Sequence, residues 1–244
     1  MTSRPSDRGL AAALRFWGRL TVETLGGRRL DRVVAARLGA APITATGAGD
    51  LPPDGPFVFA VNHFRAGLTM GTVSAVISAA ACARPDVARD TLLIVGGPPR
   101  PPTGRLVRVV RRLMSAFWAR WSRAVLRVPM AGNGPTLSAL RAFREAARER
   151  PVLVFPEGRA SALFADVRPG AGRWLGSLAV PVVPVGVFRS DDGWTVAFGP
   201  PLRWSPRAEL RDVQLGLAIA SLLPPGLAPR WLPLLERWRA AHSG

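Results

Sequence analysis

Lysine and tyrosine are both absent from this 244-residue chain, and it holds only one cysteine and two histidines. A single cysteine, Cys82, excludes an internal disulfide and fits a reducing compartment. So few sulfur and imidazole ligands leave no zinc-ligand set, and no metal is expected. Long apolar runs are also scarce. Arginines interrupt the N-terminal stretch, so no signal-peptide core is expected there. One uncharged run, Ala66 to Ala83, reaches 18 residues. It is rich in Ala, Gly, Ser and Thr, and a buried globular helix is the better reading than a membrane span.

What the chain does have is arginine. With no lysine, all 33 basic side chains are Arg, against 16 acidic ones, and the formal net charge is +17. Such a surface is drawn to phosphate, on lipid head groups or on nucleic acid. Arginine also grips phosphate through a two-pronged fork. No helix-turn-helix, zinc-finger or RNA-recognition signature accompanies the charge, so nucleic acid is not the expected partner. An anionic membrane surface is, with a peripheral position on the cytoplasmic face of the cell membrane. At 48% hydrophobic and 20% charged, the composition is globular.

Two regions follow from the patterning. Residues 1–40 read as two basic amphipathic helices, with Leu10, Leu14, Trp17 and Leu20 at helical spacing. They either lie on a membrane or pack on the domain. Residues 41–244 read as one α/β domain. Strands are expected at 43–46, 57–61, 91–95, 125–128, 152–155, 182–188 and 194–198. Helices are expected at 68–82, 136–148, 170–178, 206–223 and 231–241. A Pro- and Gly-rich loop spans 96–104, followed by a basic, Trp-bearing helix suited to a membrane surface. Alternating elements imply a mixed, mainly parallel sheet with helices on both faces.

Two places can carry chemistry. His63 follows Asn62 at the C-terminal end of an apolar strand, the edge where open α/β sheets bind ligands. A neutral imidazole there can accept a proton. His242 sits near the end of the chain and is discounted. The second place is Phe155-Pro156-Glu157-Gly158-Arg159, which also follows an apolar strand. Gly158 permits close backbone approach, Arg159 can clamp a phosphate, and Glu157 can fix that arginine or accept a hydroxyl. Taken alone, each place is better read as a structural histidine and an ordinary tight turn.

Together, and in order, they resemble a known family. Leu51-Pro52, then Pro56-Phe57-Val58-Phe59-Ala60-Val61-Asn62-His63, is similar to the opening block of the lysophosphatidate-type glycerolipid acyltransferases. Val152 to Ser161 resembles that family's Phe-Pro-Glu-Gly block. Pro169-Gly170-Ala171 and the Val180-Pro181-Val182-Val183-Pro184-Val185 strand resemble its later blocks. The resemblance spans residues 41–198. It implies the glycerolipid acyltransferase fold and a transfer of a fatty acyl group from acyl-CoA or acyl carrier protein. The acceptor would be the hydroxyl of a lysophospholipid or glycerol phosphate. No cofactor is implied beyond that thioester co-substrate. The base would be His63, and the substrate site would include Asn62, Arg127, Glu157, Gly158 and Arg159.

The chain departs from the family pattern twice. Leu68 stands where the resemblance implies an aspartate that orients the imidazole, and Arg159-Ala160 replaces Thr-Arg. Neutralising the orienting aspartate of a catalytic triad lowers turnover by about 10⁴-fold. Asp86, Asp90, Asp166 and Glu157 are the replacements the sequence offers, and a backbone carbonyl can also fix a histidine tautomer. A catalytically silent relative that binds lipid or acyl-carrier partners is therefore the alternative reading.

Overall fold

A computed structural model of the chain describes residues 42–64, 69–96, 125–128, 130–131, 134–135 and 137–242. The main chain alone is described at 69–70, 88–90, 92–96, 125–135 where included, and 241–242. The N-terminal helical pair expected at 1–40, most of the loop at 96–104 and the basic helix after it lie outside the described residues.

The main strands are β1 (Ile43–Thr46), β2 (Val58–Val61), β3 (Leu92–Gly96), β4 (Val125–Val128), β7 (Val152–Val154), β8 (Val182–Ser190) and β9 (Gly193–Phe198). Two short strands, β5 (Met130–Ala131) and β6 (Gly134–Pro135), pair only with each other. The helices are α1 (Thr69–Ala83), α2 (Pro85–Asp90), α3 (Leu137–Glu149), α4 (Ala171–Leu175), α5 (Arg211–Ala220) and α6 (Leu232–His242). The sheet has seven strands in the order β1-β9-β8-β2-β7-β3-β4.

Its neighbours are parallel except β8 and β9. That pair is antiparallel because only Asp191 and Asp192 link the two strands, too short a connection for a crossover. The mixed sheet thus comes from one tight hairpin in an otherwise parallel array. Helix α2 and the β5–β6 pair are elements that the sequence pattern did not disclose.

Strand β2 is central, and its alternate residues face opposite ways. Phe57, Phe59 and Val61 pack with Val73, Val76, Ile77 and Ala80 of α1. Val58 and Ala60 join a second cluster with Phe143 of α3, Leu175 of α4, Leu215 and Ile219 of α5, and Leu235 of α6. Burial of each such Phe or Leu side chain is worth about 1.5–3 kcal/mol. This two-sided burial explains why β2 reads as an unbroken apolar run. Helix α1 is the uncharged segment weighed above as a span. Its central residues are buried against the sheet, and no described helix is long and apolar enough to cross a membrane.

One contact anchors the loop that follows β7. The Asp212 carboxylate, at the start of α5, accepts the main-chain N–H groups of Gly170 (2.6 Å), Gly172 (2.7 Å) and Arg173 (3.3 Å). It satisfies orphan donors at the start of α4. The two helices meet so closely that a Cβ on Gly172 would lie 2.3 Å from the Arg211 carbonyl oxygen. Gly172→Ala should therefore destabilise the protein by about 1–3 kcal/mol, outweighing the ~1 kcal/mol that alanine gains in a helix. Urea unfolding measures this, and an unchanged or raised midpoint would contradict the packing argument.

Candidate functional site

Strands β2 and β7 are parallel neighbours, with Phe59 opposite Leu153 and Ala60 opposite Val154. The chain therefore leaves both strands at the same rim of the sheet. From β2 emerge Asn62 and His63, and from β7 emerge Phe155, Pro156 and Glu157. The two segments grip each other there. The His63 main-chain N–H donates to Glu157 Oε1 at 2.5 Å. The His63 carbonyl accepts the Ser161 N–H at 3.1 Å, and Phe64 and Ser161 form an isolated parallel bridge. The imidazole stacks on the Phe155 ring, with centroids 4.1 Å apart and planes 15° from parallel. Residues on one loop thus hold the histidine by its N–H, its C=O and its ring face.

The turn that presents Glu157 is closed by the Gly158 N–H donating to the Phe155 carbonyl at 3.1 Å. Gly158 has φ +70°, left-handed backbone that glycine adopts without strain. Further on, the Arg168 N–H donates to the Pro156 carbonyl at 2.9 Å, which brings the far limb of the loop back to its start. Between the limbs is an open cavity of about 320 Å³, walled by Glu157, Arg159, Ser161, Asp166 and Arg168 among others.

Burial shapes the protonation of both key groups. It lowers the His63 pKa below its ordinary value, and a hydrogen bond with the Arg159 main chain partly opposes this. The imidazole therefore stays neutral at neutral pH and is available as a base. Burial also pushes the Glu157 carboxyl up to about 7, despite the His63 N–H and the nearby Arg159 charge, which both favour ionisation. The Asp166 charge adds to the upward push.

The other expected site residues fall in three groups. Gly158 and Arg159 sit beside Glu157, as adjacency in sequence requires, and Arg159 lines the cavity. Arg127 lies in β4, opposite Val95 of β3. That position is three strands from β2, roughly 14 Å at the usual spacing, and its side chain lies outside the described residues. Asn62 differs from the expectation of a substrate contact. It is buried, its Nδ2 donates to the Val187 carbonyl at 2.9 Å, and its Oδ1 accepts the Val187 N–H at 2.6 Å. The reason is register. At the end of β2, its amide continues the main-chain ladder toward β8.

The proposed stand-ins for the missing aspartate are placed as follows. Asp86 pairs with Arg84, at 2.5 Å. Asp166 pairs with Arg230, at 2.6 Å. Glu157 holds the His63 main chain rather than its ring. The Asp90 side chain and Leu68 lie outside the described residues. Among the described residues, no group of three or more His, Cys, Asp or Glu is placed to hold a metal ion. Sequence reasoning missed two contributors. Phe155 was visible as part of the Phe-Pro-Glu-Gly block, but its stacking needed the strand pairing. Arg168 had no signal beyond its place just before Pro169-Gly170-Ala171.

Neither a known family model nor a characterised protein sequence matches the chain. Among solved structures, it is similar to the 1-acyl-sn-glycerophosphate (LPA) acyltransferase PlsC from Thermotoga maritima. The TM-score is 0.48 and the identity 15%, over 88% of this chain and 95% of that one. At that overlap, the case for function rests on the residues of the site itself.

Two outcomes follow from the site geometry. Asn62→Ala leaves the buried Val187 N–H and C=O without partners, at about 1–3 kcal/mol for each such group. Chemical denaturation should show a loss of roughly 2–4 kcal/mol, and a loss under ~0.5 kcal/mol would contradict the bracket. For Glu157, a folded-state pKa near 7 against an ordinary 4.5 means that the folded state holds the extra proton in that window. Its contribution is complete below about pH 4.5 and is lost as pH rises through 7. Glu157→Gln keeps a carbonyl acceptor for the His63 N–H and removes this loss. The variant's stability relative to wild type should therefore rise between pH 5 and pH 8. A flat difference across those pH values would show that Glu157 is not held protonated.

Proposed function

We propose that this protein is an acyltransferase. In this reading it moves a fatty acyl group from acyl-CoA or acyl carrier protein to the hydroxyl of a lysophospholipid or glycerol phosphate, working at an anionic membrane surface. The observation that carries the proposal is the meeting of His63 and the Glu157-Gly158 turn at one rim of the sheet, joined by the 2.5 Å hydrogen bond. Support also comes from the ordered sequence blocks and from the cavity, whose walls carry Arg159 and Arg168.

The chemistry assigned to each group is simple. The neutral His63 imidazole takes the proton of the acceptor hydroxyl. The oxygen attacks the thioester carbonyl, the new C–O bond forms, and the C–S bond breaks as the thiolate leaves. The imidazolium returns its proton to the thiolate. Glu157 holds the His63 main chain, so the base is presented from a fixed backbone rather than from a mobile loop. Stacking on Phe155 limits rotation of the ring. Arg159 supplies positive charge for the acceptor's phosphate. The +17 net charge, all of it arginine, favours docking at the cytoplasmic face of the cell membrane.

A catalytically silent lipid- or acyl-carrier-binding protein is the second reading. It is favoured by the pairing of Asp86 and Asp166 with Arg84 and Arg230, together with Leu68 in place of the implied aspartate. The two readings separate in one assay. Purified protein given acyl-CoA and lysophosphatidate should release CoA, and His63→Ala should lower that rate by about 10²–10⁴-fold. The acid limb of kcat/KM should have its midpoint below pH 6.5, because burial lowers the His63 pKa. Equal, slow release by wild type and His63→Ala would reject the enzyme and leave the binding protein.

A further inference from the structure

The resemblance leads one to expect an arginine two residues after Gly158, and the chain has alanine there, with Arg159 one place early. A side chain one position earlier leaves the loop in a different direction. The structure brings a different arginine to the same turn. Arg168 sits ten residues beyond Gly158 in sequence, yet its guanidinium lies against it. A Cβ built on Gly158 would be 3.4 Å from Arg168 Nη1 and 3.5 Å from its Cδ. Glycine at that position leaves the surface over which the arginine lies.

The position is fixed by the main chain. The Arg168 N–H donates to Pro156, and its carbonyl accepts the Ala171 N–H at 2.9 Å. Two residues later, Gly170 is tied to Asp212. The side chain lines the cavity together with Arg159, Glu157 and Ser161. No carboxylate neutralises it among the described residues. Asp166, the nearby acid, pairs with Arg230 instead. An arginine held by its backbone in the wall of an open cavity, with no carboxylate partner among the described residues, is suited to bind an anion.

We propose that Arg168 is the second phosphate-binding side chain of this site. It lines the same cavity as Arg159 and selects acceptors that carry a phosphate over neutral ones. The assignment rests on the acceptor-site reading above, but it concerns binding and is tested without turnover. Glycerol 3-phosphate is the probe, titrated calorimetrically into the full-length protein at fixed ionic strength. Arg168→Ala should weaken its affinity by about tenfold or more, the scale of a lost charge-assisted hydrogen bond. Arg168→Lys should recover part of that loss, because an ammonium keeps the charge without the fork. Arg148→Ala removes an exposed arginine on α3 and should bind as wild type does, which separates a specific contact from general charge.

Where turnover is measurable, Arg168→Ala should lower kcat/KM for lysophosphatidate relative to an uncharged monoacylglycerol by a similar factor, through KM. If wild type shows no turnover but Arg168→Ala still loses affinity for the probe, the binding assignment stands and the acyltransferase reading fails. Wild-type affinity in a folded Arg168→Ala, or no binding of the probe by wild type, overturns the assignment.

Discussion

The bond from the His63 main-chain N–H to the Glu157 carboxyl is the constraint on which the site depends. It joins the first residues past two neighbouring strands, and it forms only because β2 and β7 run parallel and end at the same rim. With it come the ring stack on Phe155 and the backbone contact to Ser161. A histidine at a strand end is ordinarily free to move with its loop. Here three separate contacts, all from one segment, hold it in place. The loop in turn is closed by Arg168 and tethered through Asp212, so the support of the imidazole reaches as far as α5.

Burial acts in opposite senses on the two groups and produces the same result. It lowers the basicity of the imidazole and raises the pKa of the carboxyl, so both lean toward neutrality near pH 7. Each group is partly buried, and loss of water disfavours its charged form. In the proposed reaction the neutral imidazole is ready to accept a proton. Positive charge at the cavity comes from arginines on its wall, which remain ionised at any physiological pH. The proposed function divides proton transfer and anion binding between different side chains.

Much of the local architecture was legible because the physical cause was local. Apolar runs marked β2, β7 and β8, and their ends marked where His63 and Glu157 would emerge. The helix expected at 136–148 is α3, and its Ala139, Phe143 and Ala147 are buried. Other features were not legible because their cause lies in pairing. Asn62 looked like a ligand contact until its register against β8 put Val187 opposite its amide. Asp166 and Asp86 looked available to a histidine until their arginine partners were in place. Arg168 carried no distinguishing pattern, since its relation to Gly158 is made by a loop that folds back.

By itself, the sequence determined the charge, the alternation of strands and helices, and the two residue blocks that a strand edge would display. Those depend on composition and on periodicity within a few residues. The tertiary structure decided which side chains at that edge touch one another and which are already taken. Strand order and loop closure bring together groups 94 residues apart, as with His63 and Glu157. They also take the Glu157 carboxyl partly out of water and so raise its pKa. Contact and desolvation are properties of the packed molecule, and a linear pattern specifies neither until the strands have found their neighbours.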